Sequence, residues 1–286
     1  MTLRLLIIEG NVRADRDAYS AGFGRTASEA YAATLAELAP DVATDICLAA
    51  DTDEALPFGV TLADYDGVFI TGSSLNVYDG GPAIERQIAL ARAVFASGTP
   101  MFGSCWGLQV ASAAAGGVVA RNPRGREIGV ARAIRPTPTG VGHPLLAGRT
   151  APFEALCSHI DYVATVPDRS KVLAGNAMSE VQAIEIAFEG GLFWGVQYHP
   201  EFSLAEIAAI VVRRAAALAR EGVFPTEQDA LNFAAGLARL EREPAPRGLA
   251  ERLGLGPEVL DPGRRRLELV NFLERQVRPR RARRAQ

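Results

Sequence analysis

The sequence predicts an α/β fold: an open, mostly parallel sheet with helices on both faces, followed by a C-terminal helical appendage. Three observations carry this reading. Short apolar runs, among them RLLIIE at 4–9 and YDGVFIT at 65–71, alternate with longer stretches whose apolar residues recur at helical spacing. Those runs lack strict in-out alternation, as expected of strands covered on both faces. Finally, residues 101–115, MFGSCWGLQVASAAA, pass from strand to helix through one tight turn. In open sheets of this kind, chemistry gathers beyond the carboxyl ends of the strands.

Taken in order, the first strand ends at Gly10-Asn11. The polar segment 11–24 reads as irregular. A capping box, Thr26 with Glu29, starts a helix that runs to Leu38 before Pro40 stops it. Strands are expected at 43–49 and 65–71, the latter closing on Gly72-Ser73-Ser74. Pro82 and Gly98 bracket a helix with Ile84, Ile88, Ala91 and Phe95 along one stripe. After the turn at 103–107, residues 118–134 give shorter strands around Asn122-Pro123-Arg124-Gly125, and 143–148 give a helical turn. Further strands are expected at 172–174, 181–188 and 192–198, with Glu189-Gly190-Gly191 making a hairpin. The last of these runs into His199-Pro200-Glu201, and a second capping box, Ser203 with Glu206, opens a helix carrying Ile207, Ile210 and Val211.

Composition shifts after residue 221. Residues 226–241 suit one helix, 244–263 are rich in proline and glycine, and 264–277 suit a last amphipathic helix. The expected division is a catalytic domain at 1–221 and a helical extension at 222–286, whose five arginines at 278–284 read as a solvated, basic terminus.

Composition excludes several classes of function. A net charge of -3 gives no sign of a nucleic-acid partner. No apolar run approaches the roughly 18 residues of a membrane span, and MTLRLLIIEG lacks signal-peptide organisation, so a cytoplasmic protein without a membrane partner is expected. Cys47, Cys105 and Cys157 have no C-x-x-C spacing, and His143, His159 and His199 are scattered, so neither a metal site nor a disulfide framework is expected. Lys171 is the single lysine and follows no glycine-rich loop, which excludes a Walker A site. No cofactor is implied.

The chemistry concentrates at Cys105. Gly103 and Gly107 flank it, as a strained strand-to-helix elbow requires. Such a turn lifts the thiol, exposed, above the sheet edge, where the free amides and positive end of a helix favour an anion. A cysteine nucleophile needs a base and a group to orient that base. His199 and Glu201 point to the same side of an extended segment, across a stiff Pro200.

The elbow GSCWGLQ at 103–109 and VQYHPE at 196–201 resemble the two signatures of class I glutamine amidotransferases, notably the glutaminase domain of GMP synthase and its stand-alone relatives. The resemblance covers roughly residues 4–215 and implies a flavodoxin-like sheet. It also implies hydrolysis of a glutamine side-chain amide through a γ-glutamyl thioester, with release of ammonia. By position it makes Cys105 the nucleophile, His199 the general base and acid, and Glu201 the orienting carboxylate. The oxyanion hole falls to the amides of Gly72, Ser73 and Trp106. Gln109 and the segment Ser158-His159-Ile160-Asp161 fall where the family holds its small-molecule substrate. The chain departs from the family at Ser73, where many members have a second glycine, and at Ile160, which replaces the glycine of S-H-G-D. The isoleucine predicts an altered pocket, and hydrolysis of another γ-glutamyl peptide or amine conjugate is the alternative; a non-catalytic, regulatory binding protein on this fold is a second. An ATP loop of the S-G-G-x-D-S type is absent, so any acceptor of ammonia is expected on a separate synthetase.

Overall fold

The computed structural model describes residues 2–52, 56–243 and 248–284. A nine-stranded sheet forms its centre. Five strands make the parallel half, in the order β2 (Val42–Cys47), β1 (Leu3–Ile8), β3 (Gly67–Ile70), β4 (Met101–Ser104) and β11 (Gly191–Val196). From β11 the sheet continues as an antiparallel wing through β10 (Ala183–Phe188), β9 (Ser170–Gly175), β6 (Glu127–Pro136) and β7 (Phe153–His159). A separate antiparallel pair joins β5 (Val118–Arg121) to β8 (Asp161–Thr165).

Helices α1 (Arg13–Phe23), α2 (Ala27–Leu38), α3 (Pro82–Ser97) and α4 (Trp106–Ala114) lie about the parallel half, while α5 (Leu204–Arg220) packs on β6 and β7 of the wing. Both expected capping boxes form, Thr26 with Glu29 and Ser203 with Glu206. The expected hairpin forms as well: Glu189 and Gly190 both take positive φ, the requirement of a tight two-residue turn between β10 and β11.

Two stretches differ from the sequence reading. The segment expected to be irregular contains α1, stopped by Gly24 in the left-handed conformation. It was hidden because only Arg16 and Tyr19 of this helix are buried and its start at Val12 has no side-chain cap, so it lacks both a broad apolar stripe and a start signal. Strands β7 and β8 were likewise unforeseen; His159 and Asp161 are buried within polar pairings there, which interrupts the apolar pattern of a strand.

Beyond α5 the chain forms α6 (Glu227–Arg242), the short turns α7 (Leu249–Leu253), α8 (Pro257–Leu260) and α9 (Pro262–Arg265), and then α10 (Leu267–Phe272). A π-helical turn, Leu273–Val277, leads into α11 (Arg278–Arg284). The expected proline- and glycine-rich stretch falls partly outside the described residues, at 244–247. Phe272 packs edge-on against Phe69 of β3, and Val277 lies where a side chain on Gly67 would stand. Arg149, itself buried, forms ion pairs with Glu268 and Glu258, both at 2.7 Å, and Glu268 also accepts a hydrogen bond from Tyr198.

The arginine tail is not a free solvated terminus. Arg278 forms a two-pronged pair with Asp41, Arg280 donates to the carbonyls of Tyr65 and Gly98 and to Thr99, and Arg284 pairs with the buried Asp66 at 2.8 Å. All these partners precede the starts of β2, β3 or β4, so α11 closes the amino edge of the sheet. The composition of the tail gave its charge but could not show that carboxylates and carbonyls wait for it there.

Candidate active site

Strand β11 positions the site. The Cys105 amide donates to Val196 at the end of β11 at 2.8 Å, while the chain leaving β11 fixes His199 by donating its amide to Leu156 of β7 at 2.7 Å. Cys105 has φ 51° and ψ -100°, a backbone conformation rarely open to a residue with a side chain. The flanking glycines make it possible. A side chain on Gly103 would stand 2.6 Å from the Gly107 backbone, and one on Gly107 would stand 2.6 Å from the carbonyl of Ile70, so α4 lies directly against β3 and β4.

His199 Nδ1 lies 2.7 Å from Glu201 Oε1, the facing arrangement expected across Pro200. The other oxygen of Glu201 accepts from Ser104 Oγ at 2.8 Å, and Ser104 is in turn 3.2 Å from the hydroxyl of Tyr31. Phe202 stacks on the imidazole at 3.9 Å with the rings parallel within 2°. Neither this ring clamp nor the Tyr31 and Ser104 relay is announced by any motif. Gly72 completes the housing, because a side chain there would come within 2.7 Å of His199 Cε1. Burial alone would lower the basicity of His199, but the Glu201 carboxylate and the hydrogen bond that the ring donates to the Cys105 sulfur override it and raise its pKa to about 10. Placed between a carboxylate and the sulfur, the ring is held toward its protonated form.

The thiol is not exposed above the sheet edge, as the elbow alone suggested. Cys105 is only 5% exposed, and its sulfur lies 3.8 Å from the carbonyl of Ser158, because the junction of β7 and β8 folds over it. It forms part of the wall of a cavity of about 260 Å3, together with Gln109, Ile160, Asp161 and Tyr78. The expected substrate segment is thus beside the sulfur, but its side chains differ in availability. Gln109 donates to the Asp161 carbonyl at 3.3 Å, and both ring nitrogens of His159 are taken, by Glu127 Oε2 and by the Asp161 carbonyl, each at 3.0 Å. His159 therefore fixes the segment. Asp161 turns its carboxylate into the cavity, where Tyr78 donates to it at 2.9 Å and burial raises its pKa. Ile160 is absent from the residues with positive φ, so its branched side chain is accommodated without backbone strain.

Arg121 and Arg214 also line this cavity, and Arg214, half-buried, forms no ion pair with the described residues. Sequence reasoning missed both arginines and Tyr78, since each reaches the site from an element with no motif. The run at 122–129 acts as a brace: Asn122 accepts and donates around the turn and holds Ile160 O, while Glu127 anchors His159, Asn176 and Gln182. Among the described residues no cluster of histidine, cysteine and carboxylate could hold a metal ion. Thiol, imidazolium and carboxylate in this order are suited to nucleophilic acyl transfer.

A family model described as glutamine amidotransferase class-I matches residues 23–216. The chain belongs to the class I glutamine amidotransferase family. Within it, the chain is 38% identical over 229 residues to a γ-glutamyl-L-1-hydroxyisopropylamide hydrolase of a Pseudomonas species, covering 78% of this chain and 76% of that protein. It is 34% identical over 161 residues to the glutamine-hydrolyzing GMP synthase of Leifsonia xyli, of which it spans only 30%, and that match covers 54% of this chain. Among solved structures, a glutamine amidotransferase from Thermotoga maritima superposes with a TM-score of 0.60 at 16% identity, covering 97% of this chain and 99% of the other, which shows a shared fold. This class I amidotransferase is an amide-hydrolysing enzyme, and its mostly parallel sheet flanked by helices is the family's fold. No helix among the described residues is long and apolar enough to cross a membrane.

Proposed function

We propose that the protein hydrolyses the γ-amide of glutamine and of related γ-glutamyl compounds through a thioester on Cys105. One observation carries this reading: the His199 ring is held at 2.7 Å by Glu201 while facing Cys105, which raises its pKa to about 10. An imidazolium beside the sulfur stabilises the thiolate and holds the proton that the departing nitrogen needs. The thiolate attacks the γ-carbonyl carbon. The oxyanion meets amides at Gly72, Ser73 and Trp106, of which Trp106 begins α4 and has no partner within its helix. Each such donor is worth about 3 kcal/mol in the transition state.

The γ-glutamyl half of the substrate occupies the cavity beside the sulfur. Asp161 offers a carboxylate to its α-ammonium group, and Arg121 and Arg214 offer positive charge to its α-carboxylate. Gln109 and the segment 158–161 fix the depth of the pocket. Ammonia released from glutamine passes to water or to a separate synthetase subunit, the arrangement in which relatives of this family work as parts of a larger enzyme. The 38% identical hydrolase favours a second substrate, an N-substituted γ-glutamyl amide.

The test is release of glutamate from glutamine and from γ-glutamylethylamide by the purified chain and by Cys105→Ala. Glutamate from at least one substrate, lost in the variant, is expected. Failure of the folded protein to act on either, or undiminished activity in Cys105→Ala, would overturn the proposal.

A further inference from the structure

We propose that a second cavity, of about 490 Å3 and separate from the one that holds Cys105, is the subsite for the amine half of the substrate, and that it takes short aliphatic amines. This rests on the γ-glutamyl reading above and adds its leaving group. His199 sorts the two cavities. It belongs to the wall of the larger one, which does not include Cys105, whereas Cys105 belongs to the wall of the smaller one, which does not include His199. Ser73, Ser74, Ser158 and Arg214 line both and mark the junction. A γ-glutamyl amide must place its carbonyl carbon at the sulfur and its nitrogen within reach of the acid that protonates it. With the glutamyl half on the Cys105 side, the nitrogen and whatever it carries lie on the His199 side.

The walls describe what it carries. Helices α1, α2 and α5 present Ala18, Ala27, Ala30 and Ala217 to the larger cavity, and with Phe202 and Ile210 these make an apolar part of a wall that also carries Asp15, Arg213 and Arg214. Ammonia, about the size of a water with its share of roughly 30 Å3, would leave nearly all of this space unused. An alkyl group would bury its surface there at about 25 cal/mol per Å2. Tyr19 also lines the cavity, but its hydroxyl is buried away from it.

The reaction balances without any further reactant. The Cys105 thiolate forms a C–S bond to the γ-carbonyl, the C–N bond breaks, and the His199 imidazolium gives its proton to the departing amine nitrogen. Water then attacks the thioester, its proton returns to His199, the C–S bond breaks, and glutamate leaves with the thiolate restored.

Steady-state kcat/KM values for glutamine, γ-glutamylpropylamide and γ-glutamyl-(2-hydroxypropyl)amide, measured on the full chain, Ala217→Leu and Tyr19→Phe, test the assignment. In wild type both alkylamides are expected to exceed glutamine. Ala217→Leu is expected to lower the propylamide-to-glutamine ratio at least fivefold by filling the cavity. Tyr19→Phe, which removes a hydroxyl that does not reach the cavity, is expected to leave the propylamide-to-glutamine and hydroxypropylamide-to-propylamide ratios within about twofold of wild type. A propylamide-to-glutamine ratio unmoved in Ala217→Leu, or a wild type that hydrolyses glutamine and neither alkylamide, would overturn the subsite while leaving the triad standing. A folded wild type inert toward all three compounds would instead remove the γ-glutamyl reading beneath it.

Discussion

The two edges of the parallel half-sheet use the same ingredients to opposite ends. At the amino edge, Asp66 is fully buried and meets Arg284 and the amide of Arg4, and the arginines of α11 fill the space around it. At the carboxyl edge, Glu201 is nearly as buried and holds His199, but both line the cavity of about 490 Å3 and so border open volume. A buried charge pair is thus not by itself a sign of function. What separates the edges is whether a partnered group still faces space that a ligand can enter.

The contrast breaks most visibly by substitution at the carboxyl edge. Cys105→Ala and His199→Ala are expected to lower hydrolysis by about 10^3-fold or more, Cys105→Ala with little change in melting temperature and His199→Ala with some loss because it leaves the buried Glu201 unpaired, while Glu201→Gln, which keeps shape and loses orientation, costs less activity than His199→Ala. Steady-state rates alongside thermal melts check this, and equal activity in wild type and His199→Ala would count decisively against the site. At the amino edge the balance reverses. Deleting residues 278–286 leaves Asp66 buried without its arginine, so a loss of about 2–3 kcal/mol of stability is expected, read by chemical denaturation, with kcat per folded molecule retained. A tail deletion that leaves the denaturation midpoint in place would show that α11 contributes nothing.

The pH dependence of stability sharpens the comparison further. His199 is raised from 6.5 to about 10, so its contribution is complete below about pH 6.5 and declines as the pH climbs toward 10. Wild type should therefore lose stability across that window, and His199→Gln should show a flatter profile over the same range. Identical slopes would mean that the imidazole is not held as a cation. The smallest effect is expected at Ile160. Because it lines the Cys105 cavity and not the His199 cavity, Ile160→Gly should move KM for glutamine and for γ-glutamylpropylamide by the same factor, within about threefold. A shift confined to one substrate would place Ile160 against the amine.

Much of this was legible in the sequence because the carboxyl edge is built by local rules. Glycines at 103 and 107, a cysteine between them, and a histidine two residues from a glutamate each impose geometry within a few residues, and the structure places them together through β11. What could not be read depends on contacts between distant segments. Helix α1 hides its role because one of its two buried residues, Tyr19, lines a cavity and the other, Arg16, pairs with Asp51, and Phe202 clamps His199 only once the chain has turned after Pro200. Tyr78, Arg121 and Arg214 reach one cavity from three elements, so no spacing in the chain announces them. The arginine tail looked free for the same reason: its partners at residues 41, 65, 66, 98 and 99 lie far away in sequence.

The central claim is that Cys105, among three buried cysteines, is the one that faces a substrate. Burial raises the pKa of Cys47 to about 11 and pushes Cys157 well above its ordinary range, leaving both as thiols within the core. The direct measurement is peptide mapping by mass spectrometry after exposure to a diazoketone analogue of glutamine at neutral pH. The account predicts a single adduct on Cys105, suppressed by excess glutamine and absent in Cys105→Ala. An adduct on Cys47 or Cys157, or labelling undiminished in Cys105→Ala, would contradict it.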